Sequence, residues 1–187
     1  MPHVGVGSGM HGGQFNLRLL DNKQQPSEQH ICSKGRNGRK KVAYFTNQLI
    51  EIDGTRSRYG GGERYCLNLA ALLEKNGLGV DIYQLGIRRF KGIYEGRCIT
   101  AIPIGEKVYS EFNLGASEEF YRLSLKYDHV IYNLPELSAG PMRSDAINIC
   151  HGIWFDHNNY GSNVKFRQPE WFNMVYKAFS SPQLTVS

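Results

Sequence analysis

No stretch of the 187-residue chain stays apolar for the roughly 18 residues that a helical membrane span requires. The opening MPHVGVGSGMHGGQFNLRLL is interrupted throughout by glycine and polar side chains, so it lacks the apolar core of a secretory signal. The expectation is a cytoplasmic protein, with peripheral attachment at a membrane left open. Cysteine is scarce. Cys32, Cys66, Cys98 and Cys150 are far apart and form no C-x-x-C pair, which removes the close-set ligands of a zinc site. Cys66, Cys98 and Cys150 each lie in an apolar segment and read as buried free thiols.

Positive charge is also lacking where a nucleic-acid surface would need it. The net charge is +5, but residues 1–41 hold seven Lys and Arg against two carboxylates. From Val42 onward the two signs balance, so the basicity belongs to the tail and the case for nucleic acid falls. Residues 1–40 are rich in Gly, Gln, Asn, Ser and basic side chains without a hydrophobic period. They read as a disordered basic leader, with the SKGRNGRKK run as solvated charge.

What is present begins at Lys41. VAYFTNQL (42–49) is a short apolar run with aromatic and β-branched character, as in a buried parallel strand. The loop at 50–62 is long for a strand-to-helix connection, and length there marks function. In the helix that follows, Cys66, Leu69, Ala70 and Leu73 recur on one side, opposite Glu63, Arg64, Asn68, Glu74 and Lys75. Asn76-Gly77 supplies a left-handed cap, and VDIYQLG (80–86) is a second strand.

Beyond it, RRFKGIYEG (88–96) reads as a basic, aromatic loop or hairpin and RCITAIPI (97–104) as a third strand. A helix is expected from Ser117 to Tyr127, then strands at HVIYNLPEL (129–137) and AINICHG (146–152). A polar loop at 153–163 leads to a helix opened by Pro169, and the closing LTVS looks like the start of another strand. Alternating strands and helices predict an α/β fold: a Rossmann-like parallel sheet with helices on both faces, spanning residues 41–187.

Ligands of such sheets bind beyond the carboxyl ends of the strands, at the point where the winding reverses. The Gly60–Gly62 turn, the strand end Asn133–Glu136, and His151 with the loop carrying Asp156 all belong at that edge. A glycine-rich turn opening a helix places free N–H groups and the positive end of the helix dipole on one spot, and a Cβ would obstruct an approaching phosphate. The turn is neither the G-x-G-x-x-G fingerprint nor a P-loop, since no Gly-Lys-Ser/Thr follows. A tight turn without a ligand, with Glu63 balancing the dipole, explains the same residues. His151 is equally readable as a structural histidine or as a donor to a bound sugar hydroxyl. Asn133, Glu136 and Asp156 are candidate acceptor or substrate contacts.

The succession of a strand, a long loop, Y-G-G-G-E-R (59–64), a helix written L-x-L-A-x-x-L and then G-x-x-V-x-I-Y resembles the N-terminal half of a GT-B glycosyltransferase of the retaining family-4 type. H-G-I-W-F-D-H (151–157) is similar to that family's fifth-strand histidine region. The resemblance implies an acceptor-side domain in which Gly60, Gly61 and Gly62 approach the donor's diphosphate, with Glu63 and Arg64 beside them. It implies that His151 is the catalytic contact to the transferred sugar. The reaction would move a hexose from a nucleotide sugar to a sugar or lipid-linked acceptor with retention, without a metal or other cofactor. Complete enzymes of this type carry a second Rossmann-like domain that binds the nucleotide and supplies an E-x₇-E motif. Glu111 and Glu119 have that spacing but lie in the N-terminal half, so the match reads as coincidence. The expectation is therefore half of an active site, incomplete or inactive alone and completed by a separate C-terminal donor-binding domain or subunit. The alternative is a non-catalytic Rossmann-like module that binds a nucleotide or sugar. A nicotinamide or methyl-donor enzyme would need an acidic residue closing the second strand, which ends instead in Gln84-Leu85-Gly86.

Overall fold

The computed structural model describes residues 18–20, 39–104, 109–138, 140–150 and 183–185. The elements are β1 (Arg18–Leu20), β2 (Lys41–Phe45), α1 (Gly61–Lys75), β3 (Gly79–Gly86), β4 (Lys91–Tyr94), β5 (Arg97–Pro103), α2 (Tyr109–Ser124), β6 (His129–Tyr132), a 3-10 turn (Pro135–Ser138), β7 (Ile147–Cys150) and β8 (Gln183–Thr185).

They form one sheet in the order β1-β4-β5-β3-β2-β6-β7-β8. From β5 through β8 every neighbouring pair is parallel. Renumbered among themselves, those strands run 3-2-1-4-5-6, the doubly wound Rossmann order. The fold is α/β and Rossmann-like. β4 runs antiparallel to β5 and β1 antiparallel to β4, which makes the sheet mixed at one edge. The β4–β5 hairpin has a two-residue turn, Glu95 at φ 48° and Gly96 at φ 74°, the left-handed pair that matches strand twist.

Period-2 alternation along β2 builds two cores. Val42 and Tyr44 face α1 and pack with Cys66, Leu67, Ala70, Ile82 and Ile99. Ala43 and Phe45 face the other way, onto Ala116 and Phe120 of α2. Phe45 stacks on Phe120 with ring centroids 4.5 Å apart. The predicted helix face at 66–73 holds, with Leu67 more deeply buried than Leu69 or Leu73. α1 ends in a Schellman cap: the Gly77 N–H donates to the Glu74 carbonyl (3.0 Å) and the Leu78 N–H to the Leu73 carbonyl (3.1 Å). Gly77 sits at φ 86°, where a glycine is favoured.

Several expectations need correction. Residues 18–20, read within the leader, add edge strand β1 to β4, because hairpin β4–β5 leaves an unpaired edge for it. α2 begins at Tyr109, well before Ser117, and ends at Ser124; Tyr127 is still buried against its side of the sheet. The run 129–137 splits into β6 and the 3-10 turn, since Pro135 has no N–H to continue a strand ladder. Cys66 is a buried free thiol as expected, but Cys98 on β5 is disulfide-bonded. Sequence separation between cysteines is no guide to their spacing once strands pair. The loop at 153–163 and the helix after Pro169 lie outside the described residues. Among the described residues no helix is long and apolar enough to cross a membrane.

Candidate functional site

The winding reverses between β2 and β6, which lie side by side at the centre of the sheet. Their carboxyl ends are finished by a polar network. The Tyr44 hydroxyl donates to Asn133 Oδ1 (2.5 Å), and Asn133 Nδ2 donates to Thr46 Oγ1 (3.2 Å). The Asn133 N–H donates to the Phe45 carbonyl at 2.7 Å, extending the parallel ladder by one bond. The Cys66 thiol of α1 lies beside the Tyr44 and Thr46 hydroxyls, which favour its charged form. Burial pushes that thiol up to about 12, more than its hydroxyl neighbours and Arg97 lower it. Burial likewise raises the Tyr44 phenol. The network is neutral at ordinary pH and forms the floor of the crevice, with no nucleophile poised in it.

Above this floor the chain reaches α1 through Gly60. Gly60 is extended (φ −153°) and makes no side-chain cap, so the first N–H groups of α1 receive nothing from their own cap residue. A Cβ on Gly61 or Gly62 would meet no atom within 4 Å, and neither residue needs positive φ. Packing and backbone conformation therefore do not demand glycine at these two positions. A Cβ on Gly60 would lie 2.6 Å from Glu63 Oε2, so the Glu63 carboxylate sits against the turn. Arg58 holds that carboxylate from the other side, with Nε 3.9 Å from Oε1, and also donates to Gln48 Oε1. Arg64 lies over the Tyr59 ring at 5.4 Å, and Tyr59 is 57% exposed at the rim.

The connection from β2 to the turn is a built structure rather than a slack loop. Thr46 N–H donates to the Tyr83 carbonyl, Leu85 N–H to Asn47 and Ile87 N–H to Ile52, continuing the pairing with β3. The chain then doubles back through an antiparallel bridge between Ile50 and Ser57. Asp53 accepts from the N–H and the hydroxyl of Thr55 at the tip, which holds its carboxyl below the usual range.

The structure thus brings Gly60, Gly61, Gly62, Glu63 and Arg64 together at one end of α1, beside the β2–β6 crevice. Asn133 is at the crevice floor, 3% exposed, with its amide engaged by Tyr44 and Thr46. Glu136 lies in the 3-10 turn that follows β6. His151 and Asp156 lie outside the described residues. Glu119 of α2 forms an ion pair with Arg89, and Glu111 is on the same helix. Sequence reasoning missed Tyr44, Thr46 and Cys66 as one cluster around Asn133. The β2 alternation puts Tyr44 and Thr46 on one face, but nothing local says that Cys66 or Asn133 meets them. Among the described residues no three His, Cys, Asp or Glu side chains group so as to hold a metal ion. No family model matches the chain, and no curated protein matches it.

Proposed function

We propose that the chain is the acceptor-side, Rossmann-like half of a retaining glycosyltransferase of GT-B type. Its Gly60–Gly62 turn would receive the diphosphate of a nucleotide-sugar donor. The observation that carries this reading is that Gly61 and Gly62 have open space above them and an ordinary backbone below. Glycines unexplained by the fold suit a surface that another group must approach closely. In the transfer, the bond from the sugar's anomeric carbon to the diphosphate breaks while a bond to an acceptor hydroxyl oxygen forms, and the hydroxyl proton passes to the departing diphosphate. Negative charge gathers on the departing diphosphate, where the N–H groups and dipole of α1 would stabilise it. Glu63 must then swing from the turn, and Arg58 is placed to keep it. By the resemblance, His151 contacts the transferred sugar and a second domain or subunit holds the nucleotide. The proposed acceptor is a sugar or lipid-linked molecule. The proposed setting is the cytoplasm or its membrane surface; the bonded state of Cys98 weighs against it, because a reducing compartment keeps thiols free.

Gly61→Val separates fold from function. The variant should stay within about 1 kcal/mol of the parent in stability, since a side chain is compatible with this helical position. In an enzyme completed by its donor-binding half it should lose at least tenfold in donor affinity. Unchanged turnover would remove the diphosphate from the turn. A ligand-observed NMR panel on the chain alone, with UDP-, GDP- and ADP-sugars, NAD and S-adenosylmethionine, tests the class. Undetectable or millimolar binding is the expected result. Micromolar nucleotide-sugar binding would indicate a self-contained binding module, and NAD or S-adenosylmethionine binding would sink the glycosyltransferase reading.

A further inference from the structure

Gln84 is a fully buried amide on β3, two residues from Ile82, which packs in the core beneath α1. Such a group needs every donor and acceptor satisfied. Its Oε1 accepts from the Leu49 N–H (3.0 Å) and the Ile50 N–H (2.9 Å). Its Nε2 donates to the Ile50 carbonyl (2.7 Å) and the Leu85 carbonyl (3.1 Å). Three of these four bonds go to the connection between β2 and α1, and they complete the carboxamide's capacity. The Leu49 and Ile50 side chains are themselves buried in the α1-side core. From there the path to the turn is short. The Arg58 N–H donates to the Leu49 carbonyl (2.8 Å), the Arg58 side chain pairs with Glu63, and Tyr59 leads directly into Gly60.

We infer that Gln84 is a positioning residue: it clamps Leu49 and Ile50 and so sets where the Gly60–Gly62 turn stands over the crevice. Its functional consequence rests on the reading of that turn as the diphosphate site. A side chain on β3 thereby determines the geometry of a turn it does not touch.

Hydrogen exchange on the full chain, without ligand, tests the clamp. Gln84→Met keeps the length and removes all four bonds. Protection across 47–60 should fall about tenfold or more while 41–45 and 97–103 keep theirs, as expected for local rather than global opening. Gln84→Glu supplies a second readout. A protonated carboxyl can still donate one hydrogen and accept others, whereas the carboxylate faces the Ile50 and Leu85 carbonyls with no proton to give. Corrected for intrinsic rates, loop protection in this variant should therefore be near parental at low pH. It should be lost as pH rises through a carboxyl titration that burial displaces upward. Unchanged loop protection in both variants overturns the inference. So does an equal loss across β3 and β5, or failure of both variants to fold, since loop and core would then be one unit. In the completed enzyme, Gln84→Met should raise the donor KM about tenfold with a smaller effect on kcat. Faster loop exchange with an unchanged KM would uphold the clamp and sink the assignment of the turn to the donor.

Discussion

At the scale of single residues, the crevice floor illustrates how burial sets chemistry. Cys66 has the Tyr44 and Thr46 hydroxyls and Arg97 nearby, each of which favours a thiolate, yet burial outweighs them and lifts the thiol to about 12. A thiol in that state is a poor nucleophile. Iodoacetamide at pH 8 should leave Cys66 unlabelled in the folded chain and label it rapidly in denaturant, as peptide mass mapping would show. Fast labelling in the native state would mean that the Tyr44–Thr46–Cys66 cluster opens readily. Asn133 carries a related lesson. It occupies the strand end expected to contact a substrate, and its amide also bonds Tyr44 and Thr46.

At the scale of elements, two kinds of glycine can be told apart by what surrounds them. Gly61 faces open space, whereas Gly140 is wedged against α2. A Cβ there would come 2.8 Å from Ser117 Oγ, 2.9 Å from Ser117 Cβ and 3.3 Å from the Leu114 carbonyl oxygen. The Gly140 N–H also donates to Ser117 Oγ at 3.1 Å, so the contact cannot open without losing a bond. Gly140→Ala should therefore cost about 1–3 kcal/mol through overpacking, while Gly61→Ala should be neutral or slightly stabilising. Urea unfolding of the two variants side by side checks the contrast, and equal effects would contradict it. The turn at 60–62 was legible from the sequence as three glycines before a helix. Gly140 stood out in no pattern, because its constraint comes from a neighbouring helix.

At the scale of the whole molecule, the two cores hold several acidic protons that the unfolded chain would release earlier. Burial raises the Cys66 thiol and the Tyr44, Tyr83, Tyr127 and Tyr132 phenols above their ordinary values. As pH rises past about 8.5 for a free thiol and 10 for a phenol, the unfolded state loses these protons first. Their contribution is complete below that range and is lost as pH climbs toward the folded values, so stability must fall. Each group titrating in the window steepens the fall by about 1.4 kcal/mol per pH unit. Urea midpoints should thus drop steadily between pH 9 and 11, and Cys66→Ala should be less pH-sensitive over the lower part of that window. A flat profile would contradict the buried network.

The sequence alone determined what depends on neighbours a few residues apart. The 2-residue alternation of β2, the apolar stripe of α1 and the Asn76-Gly77 stop signal follow from local periodicity and backbone preference, and each stands in the structure. Alternating strands and helices also led to the Rossmann-like sheet. Tertiary structure alone decided which distant groups meet. Tyr44 and Asn133 are 89 positions apart, and Gln84 and Leu49 are 35 apart. Neither pair is implied by local pattern, because strand order and register bring them together. The same holds for β1 at the β4 edge and for the bonded state of Cys98. Periodicity says which face a side chain takes; only the pairing of strands and the seating of helices says what it finds there.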